Sequence, residues 1–252
     1  MGAASVALVL GSALAVGGAL GAWSGAAPSS QEESAAEPRW LAGEPLDAFF
    51  VEVEKAMGDL KSVAATFEQT KHLALFKEPL RSNGQILFGA PDKLRWEFRK
   101  PFRSVLVVSA DRVAKFERDG ERWKKLDQGR QSEVVLVVMD EIRSWFRGDF
   151  DREGGRFEVR GSREPRPTIR LAPKEELLAR SLNEVELALS EDLAHVVRVT
   201  IREVSGDRTV MDFTAVERGK EATLPEGLFS LATVEEVRVE ELAEPEGAGE
   251  EP

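Results

Sequence analysis

Cysteine and tyrosine are both missing from this chain, and histidine occurs only twice in its 252 residues. Without cysteine there is no disulfide framework, no thiol nucleophile, no thiolate metal ligand and no acylated cysteine to anchor the protein itself. An exported chain of this kind must be stabilised by its core. The lack of tyrosine removes one common general acid. His72 and His195 have no spacing that suggests a metal pair, and each reads as a surface residue. G-x-S-x-G, P-loop and G-x-G-x-x-G motifs are all absent. A formal net charge of −11, with no RNA- or DNA-binding motif, argues against a nucleic-acid partner. Carboxylates are plentiful but define no acid–base pair. Glu97, between Arg95 and Arg99, reads as part of a strand's polar face making cross-strand ion pairs. No catalytic set, metal site or cofactor motif emerges, so the expectation is a binding protein and not an enzyme.

Charge is also missing at the start of the chain: no ionisable side chain precedes Glu32. Residues 1–27 are rich in Ala, Gly, Val and Leu and read as a secretory signal, with small residues suited to cleavage after Ala26 or Ala27. The run lacks a basic n-region and is long, so an uncleaved anchor is the alternative, ~20 apolar residues being enough to span a bilayer. Residues 28–44 read as a flexible N-terminal segment, 45–233 as one domain, and 234–252 as an acidic disordered tail with eight Glu against one Arg. Between these ends the charge is uneven. Residues 61–130 hold sixteen Lys and Arg against nine Asp and Glu, a basic region on an acidic protein. Such a region suits an acidic partner, anionic head groups, or simply a solvated sheet face.

What is abundant is alternation. Pro45 to Lys61 has a helical stripe of Leu46, Phe49, Phe50, Val53, Met57 and Leu60, with Pro45 in its first turn. From Ser62 the period changes to two, with Val63, Ala65, Phe67 and Gln69 on one side. Ile86–Phe88 lies between Gly84 and Pro91. Leu94, Trp96 and Phe98 then alternate with Arg95, Glu97 and Arg99, and Val105–Val108 follows Pro101. Val113–Glu117 and Arg122–Leu126 are joined at Asp119-Gly120, a hairpin signal. Gln131–Phe146 breaks the rhythm. Its β-branched run Val134–Val138 suits a strand, but its length and the polar set Asp140, Glu141 and Arg143 favour a helix. Strands return at 156–160, 168–172, 181–190, 196–204 and 208–217, with a short helix expected within Pro173–Arg180.

The ordered set "ATFEQT" at Ala65–Thr70, the strand and turn from Gly84 to Pro91, "LRWEF" at Leu94–Phe98 and "KPF" at Lys100–Phe102 resembles the periplasmic outer-membrane lipoprotein carrier (LolA) family. A weaker likeness runs through "DFTAVE" at Asp212–Glu217, and Leu224–Phe229 resembles that family's closing segment. The resemblance implies a mainly β, α+β fold: a strongly curved antiparallel sheet forming an incomplete, half-open barrel closed by a few lid helices. It implies a hydrophobic cavity for lipoprotein acyl chains. On alternation the cavity wall would be Phe67, Leu87, Leu94, Trp96, Phe98, Leu106 and Val108, with Ala90, Val138, Ile142 and Trp145 belonging to the lid region. The family typically has an arginine before the proline corresponding to Pro91, hydrogen-bonded to the lid and involved in its opening and closing. Ala90 stands there in this chain, so closure must use another group or remain looser.

The function implied is that of a periplasmic carrier. It would take acylated lipoproteins from an inner-membrane lipoprotein-releasing transporter and pass them to an outer-membrane acceptor, acting as a monomer without a cofactor. Five Trp and thirteen Phe supply apolar area for such a cargo. The alternative on the same barrel is a periplasmic regulatory protein that senses lipid or lipoprotein. A third class, an envelope enzyme using Glu97 or His72, has the least behind it.

Overall fold

The period-2 stretches form eleven antiparallel strands in the computed structural model, which describes residues 37–58, 61–110, 112–126, 141–219 and 224–234. The expected signal at 1–27, most of the 28–44 segment, residues 131–140 of the expected lid helix and nearly all of the acidic tail lie outside these residues.

The strands are β1 (Ser62–His72), β2 (Leu80–Gly89), β3 (Lys93–Lys100), β4 (Ser104–Ser109), β5 (Arg112–Asp119), β6 (Arg122–Leu126), β7 (Phe157–Ser162), β8 (Thr168–Pro173), β9 (Leu182–Leu189), β10 (Val196–Glu203) and β11 (Arg208–Gly219). Helix α1 spans Glu44–Met57, α2 residues 141–146, and α3 Glu176–Ala179. A 3-10 turn, Glu226–Phe229, follows β11. The sheet order is β6-β5-β4-β3-β2-β1-β11-β10-β9-β8-β7. Every neighbour is consecutive in sequence except β1 with β11, so two meanders are joined at their first and last strands. β6 and β7 are the two edges and do not pair, which leaves the barrel unclosed. Right-handed twist summed over so many strands bends the sheet until residues of both meanders meet in one concave cluster.

Helix α1 begins with Pro45 near its N-terminus and has Glu44 and Asp47 in its first turn, matching the helix dipole. It ends at Met57, earlier than the apolar stripe predicts, because Gly58 is a poor helix former. Phe49, Phe50, Val53 and Met57 are buried on the concave side. Phe50 meets Phe150 with ring centroids 6.0 Å apart, and Phe88 of β2 stacks on Phe146 of α2 at 5.6 Å. α1 and α2 therefore cross the open side of the sheet. Gly148, at φ 70°, follows α2 at this crossing, and a Cβ there would come within 2.9 Å of Met57. Trp40 bridges Ser162, and Leu41 N–H donates to the Gly161 carbonyl, covering part of the β7 edge. Among the described residues no helix is long and apolar enough to cross a membrane.

Candidate functional site

Strand register lines the inward side chains of β1–β4 into rows. Ala65, Ile86, Trp96 and Leu106 form one row; Val63, Phe88, Leu94 and Val108 form the next. Phe67 and Phe98 both stand opposite Gly84. The glycine leaves room there: a Cβ would run into the Glu97 carbonyl and come within 2.8 Å of the Phe67 ring. Phe67 meets Trp96, Phe98 and Phe213 edge-on at centroid distances of 6.0, 5.4 and 6.3 Å, and Trp96 stacks on Phe98 at 6.2 Å. These are favourable aromatic geometries, and they make a continuous apolar wall.

The structure thus brings together Phe67, Leu94, Trp96, Phe98, Leu106 and Val108 on the concave face, Leu106 half-buried and the rest buried. Leu87 is corrected to the other face. Its register partners are Ala64 and Arg95, and it packs with Val105, Val107 and Phe229. In Ile86–Phe88 all three residues are apolar, so alternation inside the run cannot say which points inward. Pairing with β1 decides it, and Ile86 and Phe88 take the concave positions. Ile142 and Trp145 are buried against the same cluster from α2, while Val138 lies outside the described residues.

Two buried polar atoms on this face, Trp96 Nε1 and Gln69 Oε1, have no hydrogen-bond partner among the described residues. At the end of the face beyond Gln69, Lys71 and Glu203 form a largely buried pair at 3.5 Å. The wall is therefore apolar at α2, aromatic in the middle and polar at the far end.

Ala90 is half-buried against the concave cluster at the β2–β3 turn, and its N–H donates to the Lys61 carbonyl at 2.8 Å. The polar link between turn and lid comes from the lid. Arg143, buried on α2, donates from Nη1 to the carbonyls of Asp92 (2.6 Å) and Ala110 (3.2 Å). Arg147, just past α2, donates to the Pro91 carbonyl at 2.9 Å. Among the described residues Arg143 and Arg147 thus tie α2 to the rim of the sheet through backbone oxygens, where the Ala90 side chain can supply no polar contact.

The convex face departs from the sequence reading. Arg95 and Glu97, read as the polar face of their strand with cross-strand ion pairs, are 1% and 2% exposed and pair along their own strand, Nη2 to Oε2, at 2.8 Å. Gln85 Nε2, directly across on β2, donates to Glu97 Oε2 at 3.0 Å, and Arg99 donates to Gln85 Oε1. Residues 224–234 cover this cluster. Leu228 and Phe229 pack on Leu87, Val105, Val107 and Phe116, and Arg95 Nη1 donates to the Leu228 carbonyl at 3.1 Å. Lys93 binds Glu226 at 2.8 Å and holds its carboxyl below the usual range, and Lys125 donates to the Leu231 carbonyl at 2.6 Å. The signal for a second buried face was present in sequence: Ile86–Phe88 and Val105–Val108 are apolar on both sides, as strands covered on both faces are.

Residues 58–232 match the family model described as outer membrane lipoprotein carrier protein LolA. The outer-membrane lipoprotein carrier protein of Xanthomonas campestris pv. campestris is 24% identical over 161 residues, covering 63% of this chain and 73% of that protein. The protein of that name from Xanthomonas oryzae pv. oryzae is 24% identical over 162 residues, with the same coverage. Among solved structures, a LolA superfamily protein from Nitrosomonas europaea aligns with TM-score 0.39 and 9% identity, over 73% of this chain and 97% of that one. MucB aligns with TM-score 0.43 and 16% identity, over 76% and 64% respectively. With the family match spanning most of its length, the chain belongs to the outer membrane lipoprotein carrier protein (LolA) family.

Proposed function

We propose that this protein is a periplasmic carrier that holds the acyl chains of lipoproteins against its concave face. It takes them from a releasing transporter in the inner membrane and gives them to an outer-membrane acceptor. Residues 1–27 direct export on this reading. The observation that carries it is the way the lid is attached. The aromatic wall of Phe67, Trp96 and Phe98 lies in one apolar cluster with Ile142 and Trp145, and the polar ties of that lid to the β2–β3 and β4–β5 turns come from two arginines. On this reading the lid moves while the strand pairings are kept.

Each acyl methylene buried stabilises the complex by ~0.8 kcal/mol. A bilayer offers the same chain nearly the same gain, so transfer is close to balanced and the direction is set by the partners. The orphan donor Trp96 Nε1 and acceptor Gln69 Oε1 suit the ester and amide groups at the acyl chain's polar end. The family resemblance and the absence of a catalytic motif in the sequence support a role without chemistry on the cargo. The test is isolation of the protein from the periplasm followed by mass spectrometry for co-purifying acylated lipoprotein. Delipidated protein that takes up no fluorescent fatty-acyl probe and no triacylated peptide would overturn the proposal.

A further inference from the structure

Among the described residues five large apolar side chains stand well out in solvent, and four of them gather at one end of the sheet. Leu75 is 94% exposed, Phe76 66%, Phe102 58% and Val204 51%; the fifth, Val51, is on α1. Leu75 and Phe76 lie between β1 and β2, Phe102 between β3 and β4, and Val204 between β10 and β11. Because β10, β11, β1, β2 and β3 are successive neighbours, these three connections are side by side. Ala74 N–H donates to Asp207 Oδ1 at 2.9 Å, tying the first connection to the third. Phe76 N–H donates to the Leu73 carbonyl at 2.9 Å, so Leu75 sits at the tip of a tight turn that Phe76 closes. This end is opposite the turns at Asp92 and Ala110 that α2 grips, since each strand runs from one end to the other.

The same end is basic. Residues 71–81, 99–103 and 203–208 hold seven Lys and Arg against three Asp and Glu, on a chain whose net charge is −11. Of these, Lys71 is matched by Glu203 and Arg99 by Glu97. Lys77, Arg81 and Lys100 are exposed around the apolar tips. The apolar side chains stand on three separate turns, one or two to a turn, whereas a protein partner is ordinarily met by a contiguous patch. Exposed apolar tips on neighbouring turns with cations beside them fit a lipid surface, where the tips enter the acyl boundary and the cations meet phosphates.

We propose that this end of the barrel docks on an anionic lipid bilayer. Leu75, Phe76, Phe102 and Val204 insert, and Lys77, Arg81 and Lys100 bind the head groups. Docking here leaves the α2 end free. It does not rest on the cargo reading: uptake of an acyl probe and binding to vesicles are separate measurements, and either can fail alone.

The absence of cysteine allows clean labelling of the full chain. Leu75→Cys, Phe102→Cys and Val51→Cys, each carrying an environment-sensitive dye, are mixed with phosphatidylethanolamine–phosphatidylglycerol vesicles and, in parallel, with phosphatidylcholine vesicles. The expected result is a several-fold emission increase at 75 and 102 on the anionic vesicles, quenched by spin-labelled lipid, with little change at 51. Comparing sites within one chain separates this from any anchoring by residues 1–27. Leu75→Ser with Phe76→Ser lowers vesicle partitioning by roughly tenfold or more. Replacing Lys77, Arg81 and Lys100 with Gln removes the preference for anionic lipid. Equal response at 51 and 75, no response at 75 and 102, or a response only when a purified envelope protein is added would each overturn the proposal.

Discussion

Removing the charge of Glu97 while leaving Arg95 in place is a sharp test of the buried convex face. Both side chains are essentially inaccessible, and Glu97 accepts from Arg95 Nη2 at 2.8 Å and from Gln85 Nε2 at 3.0 Å. Glu97→Gln keeps the shape but leaves a buried guanidinium without its counter-charge. Breaking a buried pair from one side costs about 3–5 kcal/mol, because the remaining charge is desolvated and uncompensated. For a domain of this size each kcal/mol lowers Tm by roughly 2–4 °C, so a fall of about 10 °C is expected. The double replacement Arg95→Met with Glu97→Leu removes both charges. It should restore all but about 1–3 kcal/mol, the remainder reflecting the Leu228 carbonyl that loses the Arg95 donor and the buried Gln85 amide that loses the Glu97 acceptor. Urea unfolding followed by tryptophan fluorescence gives both numbers at constant m-value. A cost below about 1 kcal/mol for Glu97→Gln, or a double variant no better than the single, would mean that residues 224–234 do not seal this face, and the reasoning would fail.

Three further outcomes are expected. Arg143→Ala combined with Arg147→Ala removes the ties from α2 to the Asp92, Ala110 and Pro91 carbonyls. A loss of about 2 kcal/mol favours the open lid by roughly thirtyfold, so a fatty-acyl probe should load faster in stopped flow, and an unchanged rate would show that the arginines do not latch the lid. Gly84→Ala should give little soluble protein, because the added Cβ meets the Glu97 backbone where neither strand can yield; normal expression with an unchanged melting curve would refute this. Acid should destabilise the β9–β10 turn in two steps. Burial, then repulsion from Arg218, lowers the His195 pKa, so its contribution is present above about 6.5 and is lost as pH falls toward the folded value. The Asp192 carboxyl, held by Ser190, the Ala194 N–H and Arg218, is lowered to about 2, so its contribution is present above the ordinary range near 4 and is lost as pH falls toward 2. Because Asp192 is largely exposed, screening limits that contribution to roughly 1 kcal/mol or less. His195→Gln should flatten the first step and Asp192→Asn the second in pH-dependent urea midpoints.

The sequence alone was enough to find the strands and to assign most of the concave wall. Leu94, Trp96 and Phe98 alternate with charged residues, and one buried face in a period-2 strand fixes which side they share. Turn residues such as Asp119-Gly120 marked where the chain reverses, with Gly120 at φ 58°. The absence of cysteine and of catalytic motifs directed attention to binding. Three things were decided only in three dimensions. Leu87 went to the convex side because Ile86–Phe88 carries no internal contrast, and only pairing with Ala64 and Arg95 sets its direction. Arg95 and Glu97 were buried because a segment more than 120 residues later in the chain lies over them, a contact that no local pattern encodes. The lid's polar link came from Arg143 and Arg147 because the partners they use are backbone carbonyls, which every residue possesses and no sequence distinguishes. Alternation reports whether a side chain is turned toward or away from its own strand's partner face; what covers that face depends on distant parts of the chain meeting, and that is a property of the folded sheet.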